Sequence, residues 1–123
     1  MTPASRVLIV DHTPETREVL RSLVERSGAI AVEAGHPRDA LAIAERAAPD
    51  LILLDCDSDR TADHEATAKL RSVAGRTDTP IVVLGAPEHR SDLFEGGQIV
   101  PKPYHYAPLI RKIEGVLAAR RVA

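Results

Sequence analysis

The chain has 123 residues, 44% of them apolar and 28% charged, with a formal charge of −2. That length closes a hydrophobic core without disulfides or a structural metal, and the near-neutral balance offers no single-sign field for DNA or an anionic membrane. One cysteine, Cys56, excludes a disulfide framework and suits a reducing, cytoplasmic setting. Apolar runs such as Val7–Val10 and Leu51–Leu54 are too short to cross a membrane. Thr2–Arg6 leads straight into the first such run, without the pattern of a signal peptide.

Taken in chain order, short runs rich in branched residues alternate with helical periodicities. Strands are expected at Arg6–Val10, Ile30–Glu33, Leu51–Leu54, Pro80–Leu84 and Gln98–Val100. The first, third and fourth are continuously apolar, as strands covered on both faces are. The first helix is opened by Thr13 as N-cap and Pro14 at its first position, carries Val19, Leu20, Leu23 and Val24 on one stripe, and closes at Gly28. A second stripe, Ala40, Leu41, Ala44 and Ala47, ends at Pro49. The third, Ala66, Leu70 and Val73, ends near Gly75, and the last runs from about Pro108 to Arg121. Between Leu84 and Gln98, Pro87 and the Gly96–Gly97 pair leave room for about two helical turns at most. The expected fold of residues 1–123 is therefore one α/β domain: a doubly wound, five-stranded parallel sheet of flavodoxin-like (βα)₅ type with a shortened fourth helix.

Phe94, Tyr104 and Tyr106 are the only aromatic residues, so the core must be aliphatic. In a doubly wound sheet, ligands collect at the carboxyl ends of the strands. Asp11 follows strand one there, Asp55 and Asp57 follow strand three, Gly85 strand four and Lys102 strand five.

Four segments carry a family resemblance: Val7-Leu-Ile-Val-Asp-His-Thr-Pro14, Pro49-Asp-Leu-Ile-Leu-Leu-Asp55, Thr79-Pro-Ile-Val-Val-Leu-Gly-Ala86 and Lys102-Pro-Tyr104. In this order they resemble the receiver domain of bacterial two-component signalling over the whole chain. The resemblance implies transfer of a phosphoryl group from a kinase histidine to Asp55, with Asp11 near a Mg²⁺ ion and Lys102 paired with the acceptor. Such a site crowds negative oxygens, so a hard cation and an ammonium must neutralise them.

Two of the five positions depart from the family. His12 stands where the second acid, a direct metal ligand, is expected, and imidazole serves Mg²⁺ poorly. Gly85 stands where a Ser or Thr hydroxyl would meet the phosphoryl oxygens. Ser58-Asp59 and Ala62-Asp63 replace the usual residues of the following loop, and Ile99 holds the aromatic switch position of strand five. The chain thus reads as a degenerate receiver, or pseudoreceiver, with a vestigial pocket of Asp11, His12, Asp55, Asp57, Gly85 and Lys102 and no expected metal. Asp57 is the carboxylate that would keep a conventional phosphoacceptor reading open. A His12–carboxylate transition-metal site matches no dedicated spacing, and Cys56 has no adjacent base to activate it.

The pattern is also similar to the pseudoreceiver of cyclic di-GMP-responsive hybrid histidine kinases, with Arg90 fourteen residues before Tyr104. That resemblance implies a dinucleotide site at Arg90 and Tyr104, with Pro101, Tyr106 and Arg111 as secondary contacts. Arginine pairs with the Hoogsteen edge of guanine, and tyrosine stacks on the base. The partners implied are histidine kinase catalytic and dimerisation domains or an adjoining receiver, with no DNA and no catalysis. The alternative for the same residues is a plug: Phe94 and Tyr104 fill the space beside the short helix. Arg60-Thr-Ala-Asp63 matches an Arg-x-x-Asp nucleotide pattern, but a chain this rich in Arg and Asp yields such a match by chance. A pure protein-interaction module is the remaining reading.

Overall fold

The computed structural model describes residues 4–55, 61–85 and 98–122. Five strands and four helices follow one another among them: β1 (Arg6–Val10), α1 (Pro14–Arg26), β2 (Ile30–Ala34), α2 (Pro37–Ala47), β3 (Leu51–Asp55), α3 (Thr61–Arg76), β4 (Ile81–Leu84), β5 (Gln98–Val100) and α4 (Tyr106–Val122). All strand pairs are parallel, in the order β2-β1-β3-β4-β5. The order reverses at β1, so β1 and β3 part their connections to opposite faces and open a crevice at their carboxyl ends.

Alternation along the strands makes two aliphatic cores. Val7 and Ile9 of β1, Leu51 and Leu53 of β3, and Val82 and Leu84 of β4 face Leu20, Leu23 and Val24 of α1 and Leu109, Ile113 and Leu117 of α4. Leu8, Val10, Ile52, Leu54 and Val83 face the other way, onto Ala40 of α2 and Leu70 and Ala74 of α3. The buried seam of α3 therefore runs through Ala66, Leu70 and Ala74, and Val73 sits half-buried beside it. Among the described residues no aromatic belongs to either core; Tyr104 packs partly buried against the first.

Helix starts differ from the expectation in one respect. Thr13 precedes α1, but its side chain makes no capping bond. Its backbone N–H instead donates to Asp11 Oδ1 at 3.0 Å, so the acid after β1 organises the turn. At α2 the cap is His36, whose Nδ1 accepts the Arg38 N–H at 3.0 Å. The amino-end rim of the sheet is tied by polar contacts: Arg6 N–H donates to Asp50 Oδ2 at 2.9 Å, and Arg120 of α4 donates to the Asp78 carbonyl.

Ala48 ends α2 in the left-handed region, at φ 47° and ψ 65°, and is exposed. A Cβ is disfavoured there, so Ala48→Gly is expected to stabilise the fold by about 1 kcal/mol. Thermal unfolding should shift upward by about 3–5 °C. The expected shortened fourth helix falls at 86–97, outside the described residues. No helix among the described residues is long and apolar enough to cross a membrane.

Candidate functional site

The carboxyl ends of β1, β3 and β5 bring Asp11, Asp55 and Lys102 together. Asp55 ends β3, and its side chain is only 4% exposed. Lys102 follows β5 by two residues and reaches in to place Nζ 2.6 Å from Asp55 Oδ2. This charge-assisted bond satisfies a carboxylate that would otherwise be costly to bury.

Asp11 is buried. Its Oδ1 accepts the Thr13 N–H, whereas its buried Oδ2 has no hydrogen-bond partner among the described residues. Burial raises the carboxyl above its ordinary 3.8; the Thr13 N–H opposes that rise, and the nearby Asp55 charge adds to it. Arg17 of α1 closes this side of the pocket: Nη1 donates to the Asp11 carbonyl at 2.7 Å, and Nε lies 3.5 Å from Glu33 Oε1. Gly35 makes room for it, since a Cβ there would lie 3.2 Å from Arg17 Nη1.

The two departures from the receiver pattern behave differently. His12 is exposed. Gly85 is buried at the end of β4 with φ 128°, and its N–H donates to the Val100 carbonyl at 3.1 Å. Backbone in that region suits glycine, so a hydroxyl-bearing residue cannot enter without strain. Asp57 lies outside the described residues.

The unpartnered Asp11 oxygen offers a cation one ligand. Position 12 has nitrogen where a hard cation wants oxygen, so the described residues alone do not complete a Mg²⁺ site. Among the described residues, no three His, Cys, Asp or Glu side chains gather to hold a metal ion.

A second feature borders the pocket. Lys102, Pro103, Tyr104 and Tyr106 line a cleft of about 450 Å³, open to solvent. The tyrosine ring centroids are 6.4 Å apart with the planes tilted by 47°, an ordinary aromatic pair geometry. Tyr104 is half-buried against the core, and burial raises its phenol pKa. Tyr106 is 52% exposed.

Of the residues expected to hold a dinucleotide, the structure therefore brings Tyr104 and Tyr106 together. Pro101 and Arg111 are exposed and do not line the cleft. Arg90 and Phe94 lie outside the described residues, as do Cys56 and Arg60. Tyr104 combines the two roles weighed from sequence, since it packs on the core and still walls the cleft. Sequence reasoning missed Pro103 and Arg17. Pro103, joined to Lys102 by a cis peptide bond, was legible only as part of a motif. Arg17 carried no signal, because an arginine in the first turns of a helix is ordinarily solvated.

Comparison with known proteins agrees with this architecture. Over 90 residues, 72% of the chain, it is 32% identical to a protein-glutamate methylesterase/protein-glutamine glutaminase of Methanospirillum hungatei JF-1, of which it spans a quarter (25%). It is 26% identical over 119 residues to the protein PilH of Pseudomonas aeruginosa, covering 93% of this chain and 98% of PilH. The crystal structure of a CheY-like response regulator receiver domain protein from Methanospirillum hungatei JF-1 superposes with a TM-score of 0.82. That match covers 97% of this chain and 98% of the other, at 21% identity. The response regulator receiver domain model matches residues 7–114, from the first core residue of β1 well into α4. With the strand order and the Asp11–Asp55–Lys102 arrangement already in place, that match makes the chain a member of the response regulator receiver domain family.

Proposed function

We propose that this receiver domain is a non-catalytic pseudoreceiver, signalling by binding cyclic di-GMP on its β5–α4 face rather than by phosphoryl transfer to Asp55. The observation that carries the reading is the cleft of Lys102, Pro103, Tyr104 and Tyr106. It is a shallow hollow, largely open to solvent, on which a base can stack against a tyrosine face. Tyrosine faces stack on purines, and Lys102 in the cleft wall supplies positive charge for a phosphate. In this reading Arg90, implied by the resemblance and outside the described residues, is the guanine reader. The partners in this reading are histidine kinase catalytic and dimerisation domains, or an adjoining receiver, whose activity the dinucleotide controls. DNA contact is no part of it, consistent with a formal charge of −2.

Calorimetry with cyclic di-GMP tests the reading. Micromolar binding is expected for the wild type, and its loss in both Arg90→Ala and Tyr104→Ala. Absence of heat with the wild type removes the ligand.

A second reading, the phosphoacceptor receiver, is favoured by one observation, the 2.6 Å Lys102–Asp55 pair. Transfer of label from a kinase to Asp55 would establish it. A domain that neither binds the dinucleotide nor accepts phosphate would be left as a protein-interaction module.

A further inference from the structure

The acidic pocket and the tyrosine cleft share one side chain. Lys102 Nζ lies 2.6 Å from Asp55 Oδ2, and the same residue lines the cleft with Pro103, Tyr104 and Tyr106. Exposure shows the bridge: the Asp55 side chain is 4% exposed, that of Lys102 26%. The lysine thus runs from solvent at the cleft to a carboxylate at the base of the pocket. Pro101 and Pro103 flank it and restrict the backbone on both sides. Movement of the ammonium is left to the flexible four-carbon stem.

We infer that Lys102 is a shared counterion, for which the Asp55 carboxylate and an anionic ligand seated on Tyr104 and Tyr106 compete. The inference rests on the cleft being the ligand site. An anion entering the cleft meets an ammonium already engaged by Asp55. It must either draw the ammonium outward or bind without it. By linkage, whatever factor the ligand costs the Asp55–Lys102 bond, removing the Asp55 charge returns to the ligand. The electrostatic neighbourhood is continuous: after burial, the charges of Lys102 and Asp55 are the next influences on the Tyr104 phenol, and Tyr106 and Asp11 follow. A receiver lacking its second acid and its hydroxyl would in this way keep Asp55 and Lys102 as a brake on ligand affinity, set by the state of the carboxylate.

Calorimetry with cyclic di-GMP at fixed salt, on the wild type, Asp55→Asn, Lys102→Gln and the double variant, tests the competition. Asp55→Asn is expected to bind about five- to tenfold more tightly than the wild type, within the usual span of coupling between sites. Lys102→Gln should bind more weakly, and adding Asp55→Asn to it should change nothing. Unchanged affinity in Asp55→Asn overturns the inference while leaving the ligand site standing. Equal tightening in the Lys102→Gln background overturns it too, because the carboxylate then acts directly on the ligand. No heat from any of the four overturns the ligand reading, and the inference with it. Because Lys102→Gln removes the cation beside a buried carboxylate and can fail to fold, a wild-type measurement stands beside it. The Lys102 ε-CH₂ resonance should move as cyclic di-GMP saturates the domain; a resonance unmoved at saturation overturns the competition.

Discussion

Offered Mg²⁺ and acetyl phosphate, the wild-type chain is expected to accumulate no detectable phosphoaspartate at Asp55, and His12→Asp to acquire it. The acceptor itself is well placed: Asp55 ends β3 and faces Lys102 at 2.6 Å. On the pseudoreceiver reading, the shortfall is in neutralising the incoming group. A phosphoryl oxygen array beside Asp11 and Asp55 adds negative charge to two carboxylates, and one ammonium does not balance it. Carboxylate at position 12 would give a hard cation the oxygen donor it needs. Restoring one electrostatic partner of a developing charge is worth roughly 100-fold in rate, readable as the mass increment on the peptide containing Asp55. Wild-type labelling equal to that of His12→Asp would restore the phosphoacceptor reading.

Position 85 should not respond in the same way. Gly85 has φ 128°, so Gly85→Thr introduces a β-branched residue into backbone that favours glycine, at a cost of about 1–2 kcal/mol. Adding it to His12→Asp is expected to lower the unfolding midpoint with little gain in labelling. The missing hydroxyl is thus a feature of the backbone at the end of β4 as well as of one side chain.

The order of elements was legible because its signals are long and redundant. Continuous branched runs at Val7–Val10 and Leu51–Leu54 could only be strands buried on both faces, and both are fully buried. The family resemblance rested on four separated segments. Within the site, Asp11, Asp55 and Lys102 were legible because strand ends fix their positions, and the structure brings them together. Less legible was anything set by a side chain's choice among partners. Thr13 looked like a cap from its residue type, yet the Asp11 carboxylate takes over the turn. His36 gave no signal, because histidine caps a helix only when its ring nitrogen is held toward the first turn, a tertiary matter. The sequence places Tyr104 and Tyr106 near each other but gives no sign of what stands beside them: Pro103 lines the cleft and Pro101 does not. Two residues apart in sequence, these prolines are separated in role by how the chain turns around Lys102.

Asp11→Asn is expected to stabilise the domain at neutral pH by about 2 kcal/mol, the scale of a buried polar group left unsatisfied. Asp11 is 3% exposed, and its Oδ2 lacks a hydrogen-bond partner among the described residues. An asparagine keeps the oxygen that accepts the Thr13 N–H and replaces the unpartnered oxygen by an NH₂ group. It also removes the charge that faces Asp55. The sign of the pH dependence follows from the raised carboxyl. Because the folded value lies above the ordinary 3.8, the native state keeps a proton that the unfolded chain has already released. Stability therefore falls as pH rises from about 4 through the raised folded value. The wild type and Asp11→Asn should be nearly equal in urea unfolding near pH 3, where both side chains are neutral. They should then diverge as pH climbs, with the variant ahead, and hold a constant gap once Asp11 is ionised in both states. A gap independent of pH would mean that Asp11 carries no strained charge. A less stable variant at pH 7 would mean that the buried oxygen has a partner worth more than the repulsion it suffers.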